Sequence, residues 1–212
     1  MDSLVVAGAS GHARVIASAA QKSGKFSVLG YLDNNLPAGL LVDGLPILGG
    51  DDILTNLKKS IADLKVIVGI GDNALRQSVA AKISIKDFAT VVHPNAVVAD
   101  DVQIGDGSFV AASATINVGV RIGCHVIVNT SSSIDHDCDI ADFSSISPGA
   151  ILTGGVSLRR GAMIGAGAVI SPNLEVGQHA VVGAGTVVIR SLPQDTCWVG
   201  VPARQIAKSP KQ

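Results

Sequence analysis

From Val92 to Val188 every sixth residue is Val, Ile or Leu, an unbroken run of seventeen positions that passes through Val98, Ile116, Ile134, Leu152 and Ile170. With these residue types at roughly a third of positions, such a run arises by chance about once in 10^8 trials, so the period is structural. The position two before each aliphatic residue is nearly always small or β-branched, as at Ser108, Ala114, Ser132, Cys138, Ala150 and Ala168. Both sets are expected to point inward. The position after is often Gly or Asn, as at Gly105, Asn117, Gly123, Asn129 and Gly165, where a tight turn with unusual dihedrals is expected. The repeat predicts a parallel β-helix with three short flat faces, about eighteen residues per coil and five to six coils.

Composition fits such a narrow core. Of 212 residues, 47% are hydrophobic but only 3% aromatic, so the interior is aliphatic. At 16% charged residues the chain is too apolar to be disordered. Lys+Arg 16 against Asp+Glu 17 leaves no basic field, and with so few rings for base stacking, nucleic acid is not an expected partner. Uncharged stretches such as 143–158 are broken by Ser, Pro and Gly, so no membrane insertion is expected, and the first residues lack a signal-peptide pattern. Cys124, Cys138 and Cys197 are odd in number and share no metal-ligand spacing, which points to a reducing cytoplasm.

Residues 1–90 follow another pattern. Leu4-Val5-Val6-Ala7 reads as a buried strand, Gly8-Ala9-Ser10-Gly11-His12 as a glycine turn and 15–20 as a helix, the opening of a βαβ unit. Residues 27–33 and 65–71 read as further strands, and 51–57 and 73–83 as helices. The division predicted is a Rossmann-like domain over 1–90 and a β-helix with a C-terminal tail over 91–212. A glycine turn before a helix admits a phosphate to free N–H groups. Gly-Ala-Ser-Gly-His falls short of the full dinucleotide motif, and a tight turn without ligand remains the alternative. Asp33, ending the second strand, is placed to bind a ribose or base, or to cap a turn.

Among the five histidines, His136 follows the inward Ile134 by two and so leaves the core at a turn, flanked by Asp135 and Asp137. An imidazole beside a carboxylate is suited to general-base work; a solvated turn histidine is the alternative. Side chains stack in such a helix only at separations near multiples of eighteen, and the histidines are taken to offer no such pair, so no three-histidine zinc site is expected. Cys138 is expected to fill core space, not to act as a nucleophile.

In order along the chain stand the Gly-Ala-Ser-Gly-His turn, Tyr31-Leu32-Asp33-Asn34, Gly71-Asp72-Asn73, Asn129-Thr130-Ser131-Ser132, Asp135-His136-Asp137, the repeat and Gly200-Val201-Pro202-Ala203-Arg204. With this set the chain resembles the sialic acid acetyltransferase-like and bacillosamine N-acetyltransferase-like family of bacterial sugar O- or N-acyltransferases, which build bacterial glycans. The resemblance implies a trimer of left-handed β-helices with acetyl-CoA between neighbours. It places Ser10, Gly11 and His12 against a nucleotide sugar, Asp33 and Asn34 at the base, Gly71 at the nucleotide and Asn129 at the sugar ring. It makes His136 the general base and Asp137 the acid that raises its basicity, and has Gly154, Ala166 and Ala184 line the coenzyme. Ser145, also assigned to the coenzyme side, stands where relatives often carry a second histidine.

The activity implied is direct acetyl transfer from acetyl-CoA to the amino group of a nucleotide-linked 4-amino sugar. No metal is expected. O-acetylation of sialic acid or another sugar, a non-catalytic sugar-nucleotide-binding trimer and a metal-dependent hydratase are the alternatives. Serine O-acetylation fits less well, since that family usually has an all-helical N-terminal part.

Overall fold

The computed structural model describes residues 1–83, 85 and 87–207; the last five residues of the predicted 91–212 unit lie outside them. The first part of the chain builds a five-stranded sheet. Strand β1 (Asp2–Ala7) leads through the glycine turn into helix α1 (Gly11–Ser23) and strand β2 (Phe26–Leu32). A short hairpin follows, β3 (Leu41–Val42) and β4 (Leu45–Gly49), then a 3-10 turn over Asp51–Ile53, helix α2 (Leu54–Ser60), strand β5 (Leu64–Val68) and helix α3 (Asn73–Lys82). The sheet order is β3-β4-β2-β1-β5, parallel except for the β3–β4 hairpin. Leu4, Val5, Val6 and Ala7 are fully buried, as a strand covered by helices on both faces requires.

The predicted strand 65–71 stops early, at Val68. A Cβ on Gly69 would stand 2.6 Å from the Cβ of Ala13, so the chain leaves the sheet where α1 closes over it. The hairpin is an element that the sequence reading missed. Asp43 and Gly44 both take positive φ, 48° and 80°, the two-residue turn that an Asp-Gly pair favours.

From Val91 onward the chain winds as predicted into three parallel sheets of two-residue strands, with Thr115 opposite Ser133, Ile127 opposite Ser145 and Arg121 opposite Asp139. Each register step is one coil of eighteen. Ile134, Ile146, Leu152 and Ile164, with Ala114, Cys138, Ala150 and Ala162 two positions before other members of the period, are fully buried or nearly so. Burying each aliphatic side chain contributes about 1.5–3 kcal/mol. Trp198 closes the last coil, its Nε1 donating to Thr196 Oγ1 at 2.9 Å, and the strand Arg204–Ile206 folds back antiparallel on Cys197–Val199.

Two expectations are corrected. The left-handed backbone falls three residues after the aliphatic position, at Ser113, Gly119, Ser131, Asp137 and Gly149, and not at the glycine directly after it. That following glycine serves close approach: a Cβ on Gly105 or Gly165 would lie 2.6 Å from backbone atoms of the next coil. Second, His125 and His179 do share a corner, three coils apart, but Phe143 and Gly161 stand between them on the same column. His125 stacks on Phe143 at 4.8 Å, so that end of the column is packed as core, away from the half-buried His179. Among the described residues no three His, Cys, Asp or Glu side chains are grouped to hold a metal, and no helix is long and apolar enough to cross a membrane.

The α/β unit covers one of the three β-helix faces. Phe109, Ala111 and Ile127, which point outward from that face, pack with Ala13, Ile16 and Ala20 of α1. A second face is polar, with Arg121 paired to Asp139 at 3.7 Å and Arg159 to Glu175. The third presents Val97, Thr115, Ser133, Ile151, Val169 and Val187; Val97 is 65% exposed and Ile151 41%.

Candidate active site

The corner between strands Ser133–Ile134 and Asp139–Ile140 carries His136. Asp137 takes φ 59°, which turns its carboxylate back onto the preceding side chain, and Asp137 Oδ2 lies 2.9 Å from His136 Nδ1. Asp135 Oδ1 accepts from His136 N at 2.8 Å and from Asn117 Nδ2 at 2.9 Å, fixing the backbone of the pair from the coil below. The bond to Asp137 raises the His136 pKa above its usual 6.5, with the Asp135 charge adding to it. These amide donors hold the Asp135 carboxyl below the usual range. With Nδ1–H held by Asp137, the lone pair of Nε2 is left to take a proton. The imidazole is exposed. Glycines make room for the dyad on both sides: a Cβ on Gly154 would stand 2.6 Å from His136 Cε1 and Nε2, and one on Gly119 2.5 Å from Asp137 Oδ1.

Two adjoining clefts open at the carboxyl ends of β1, β2 and β5, where strand order reverses and α/β folds bind ligands. The first, about 220 Å³, is lined by Gly8, Asp33, Asn34, Asp51 and Ile70. Asn34 and Asp51 exchange two hydrogen bonds, both 3.1 Å, and Asp33 Oδ1 accepts from Asn35 N at 2.8 Å. The second cleft, about 290 Å³, brings His12, Gly71, Asn129 and Ser145 together. His12 is packed edge-on to Phe109 at 5.6 Å, and its buried Nε2 has no hydrogen-bond partner among the described residues. Burial first, and the Arg76 charge second, push its pKa down to about 4, so it is a neutral imidazole. Ser10 is the N-cap of α1 and makes no side-chain cap bond. It stays exposed beside Gly11 on the turn.

The sequence reading did not single out Arg76. Its side chain is 1% exposed and ties the α/β unit to the β-helix. Nε donates to His125 O at 2.9 Å, Nη1 to Ile70 O and Gly71 O at 3.0 Å each, and Nη2 to Asn73 Oδ1 at 2.7 Å and Phe143 O at 3.0 Å. Ser145 Oγ donates to Asn73 Oδ1 at 2.6 Å and lies 3.2 Å from Nη2. An arginine four residues after a helix cap has no local signature of burial; only the meeting of the two units creates its environment.

Ala166 and Ala184 lie one coil apart on the corner that also carries Thr130 and Pro148, as the bonds Gly149 N to Thr130 O, Gly167 N to Pro148 O and Gly185 N to Ala166 O show. That corner and the His136 corner flank the third, apolar face. Within one chain Ser145 sits with the His12 group, and Ala166 and Ala184 are not brought to His136 and Gly154.

A β-helix carrying an exposed His–Asp dyad, joined to an α/β unit with clefts at its switch point, defines a β-helical acyltransferase with an attached ligand-binding unit. Residues 3–83 match the family described as PglD N-terminal domain. The chain is 33% identical to a point mutant of perosamine N-acetyltransferase from Caulobacter crescentus, solved in complex with CoA and GDP-perosamine, with 98% of each chain covered and a TM-score of 0.91. It is 33% identical to the acetyltransferase domain of PglB from Neisseria gonorrhoeae, covering 97% of this chain and 100% of that one, with a TM-score of 0.88. It is also 35% identical over 148 residues to GDP-perosamine N-acetyltransferase of Escherichia coli O157:H7, a match spanning 68% of this chain and 64% of that protein. The chain belongs to the N-acetyltransferase family of hexapeptide-repeat sugar acyltransferases.

Proposed function

We propose that the protein transfers an acetyl group from acetyl-CoA to the amino group of a nucleotide-linked 4-amino sugar, directly and without a covalent acyl-enzyme. The observation that carries this reading is the His136–Asp137 pair, 2.9 Å apart on an exposed corner, with Gly154 leaving space against Nε2. The neutral amine attacks the thioester carbonyl while His136 Nε2 takes its proton; a C–N bond forms and the carbonyl oxygen gains charge. The Gly154 amide is the donor assigned to that oxyanion. Collapse breaks the C–S bond, and the proton passes from His136 to the departing thiolate. Cys138 is buried, which pushes its thiol pKa up, in keeping with a path that uses no thiol nucleophile.

In this reading residues 1–90 bind the nucleotide sugar, through Ser10, Gly11, His12, Asp33, Asn34 and Gly71 with Asn129 at the sugar, and residues 91–212 perform the transfer. The working form is a homotrimer of left-handed β-helices in the cytoplasm. The apolar face of Val97, Ile151 and Val187 supports an association of copies, since water-exposed aliphatic rows favour burial. Both the His136 corner and the Ala166–Ala184 corner border it, so a neighbour packed there sets one chain's dyad beside another chain's coenzyme-lining corner.

The test is release of free CoA thiol with acetyl-CoA and a panel of UDP-, GDP- and dTDP-linked 4-amino sugars beside sialic acid. Turnover with an amino sugar and an N-acetyl product is expected. Activity on sialic acid alone replaces this reading with O-acetylation, and silence throughout with nucleotide binding retained replaces it with a binding protein.

A further inference from the structure

We infer that Arg76 is the positioning cation for a diphosphate lying across the junction of the two clefts, acting from behind the Ile70–Gly71 turn. Ile70 lines the first cleft and Gly71 the second. The carbonyls of these two consecutive residues are the ones that accept from Arg76 Nη1. On the opposite side of the junction runs the β1–α1 turn, with Gly8 in the first cleft and His12 in the second. A ligand with its nucleoside in one cleft and its sugar in the other must lay its linking diphosphate between these turns. This inference rests on the nucleotide-sugar reading above.

The electrostatics single out an anion. The hydrogen bonds from the Arg76 guanidinium go to neutral carbonyl, amide and hydroxyl oxygens. Asp72 acts on it only through its field, while its Oδ1 caps α3 by accepting from Leu75 N at 2.7 Å. A buried cation held by neutral dipoles gains most from an opposite charge placed one atom layer away. The His12 cleft offers that place, because Ser145, which touches Nη2, lines it and no carboxylate does. The first cleft carries Asp33 and Asp51 and the cleft beyond Gly71 carries Asp72 and Asp195, so an anion is drawn to the His12 side of the junction. The Arg76 field already reaches the His12 cleft, where it helps keep His12 neutral. The uncapped N-terminus of α1 adds N–H donors on the same side.

The experiment compares binding of UDP, GDP and dTDP with that of their nucleosides by calorimetry, in the full-length protein and in variants. The intact protein is expected to bind its preferred diphosphate at least about tenfold tighter than the nucleoside. Arg76→Gln brings that ratio close to one, whereas Arg76→Lys, which keeps the charge, retains most of it. Asn73→Asp sets a carboxylate against Nη2 without removing the cation and lowers the ratio as well. Affinity for desulfo-CoA, which carries the other diphosphate of the reaction, stays within about twofold. The inference is overturned by an unchanged ratio in Arg76→Gln or Asn73→Asp variants that melt like the parent, or by a loss confined to the coenzyme. Equal affinity of the unaltered protein for nucleoside and diphosphate overturns it without any variant. Absence of all nucleotide binding removes the nucleotide-sugar reading itself.

Discussion

His136 and Gly154 occupy the same corner one coil apart, and the missing side chain of Gly154 is what leaves the imidazole its room: a Cβ there would stand 2.6 Å from Nε2. Gly154→Ala therefore displaces the ring by several tenths of an ångström. Misplacement on that scale is expected to lower kcat about 10- to 100-fold, while Tm stays within a few degrees because the imidazole that must give way is exposed. Parallel kinetics and thermal melting check this; an unchanged kcat removes the steric coupling from the mechanism.

His136→Ala removes the base outright. Turnover falls roughly 10^2- to 10^4-fold, with oligomer size and acetyl-CoA affinity retained, as read by steady-state kinetics, light scattering and calorimetry. Near-normal activity excludes His136 from proton transfer.

The pH profile carries a sign. Asp137 raises the His136 pKa, and the base works only when deprotonated, so kcat/KM climbs with pH through a midpoint above 6.5. Asp137→Asn moves that midpoint down and lowers the plateau, because a weaker base accepts the proton less readily. A profile that is flat from pH 6 to 9 contradicts the assignment. The same raised pKa favours the folded state fully below the unfolded value of 6.5 and ceases to do so as pH rises through the folded value; with an exposed ring this effect on Tm is small.

On the third face, Ile151→Glu places a charge between Ser133 and Val169, on the surface proposed to meet a neighbouring copy. Dissociation to monomers is expected, with loss of turnover but little change in far-UV circular dichroism. A variant whose oligomer size by light scattering matches that of the parent shows that this face is not where copies meet.

Two glycines separate close approach from backbone strain. Gly165→Ala forces a methyl to 2.6 Å from the backbone at Gly183 and Ala184, an overpacking that costs about 1–3 kcal/mol. Gly149 has φ 67° and open space around it, so Gly149→Ala meets only the left-handed penalty, about 1–2 kcal/mol. Gly149→Asn is expected to recover part of it. Denaturant midpoints rank the three.

The β-helix was legible because a period of six leaves no second fold that buries all seventeen aliphatic positions. Local chemistry also exposed His136, since the inward Ile134 fixes where its neighbour points. The hairpin turn at Asp43-Gly44 has a readable signal in its Asp-Gly pair, but the short strands on either side have almost no pattern of their own. The glycine after each aliphatic residue reads as a turn residue in sequence, because coil-to-coil distance has no trace in a one-dimensional pattern. Arg76 was invisible for the same cause: it bonds carbonyls at Ile70, His125 and Phe143 that share no motif. The resemblance assigns Ser145 to the coenzyme side; the bonds of its hydroxyl to Asn73 and Arg76 join the two units and have no local signature.

The one-coil register also makes the corners a graduated scale. Parallel strands stack about 4.8 Å apart, so Thr130, Pro148, Ala166 and Ala184 mark equal steps along one edge. Inserting a whole coil would lengthen that edge by one step and leave every other contact in phase, whereas an insertion of any other length must be expelled as a loop. The length of that edge therefore changes only in discrete increments.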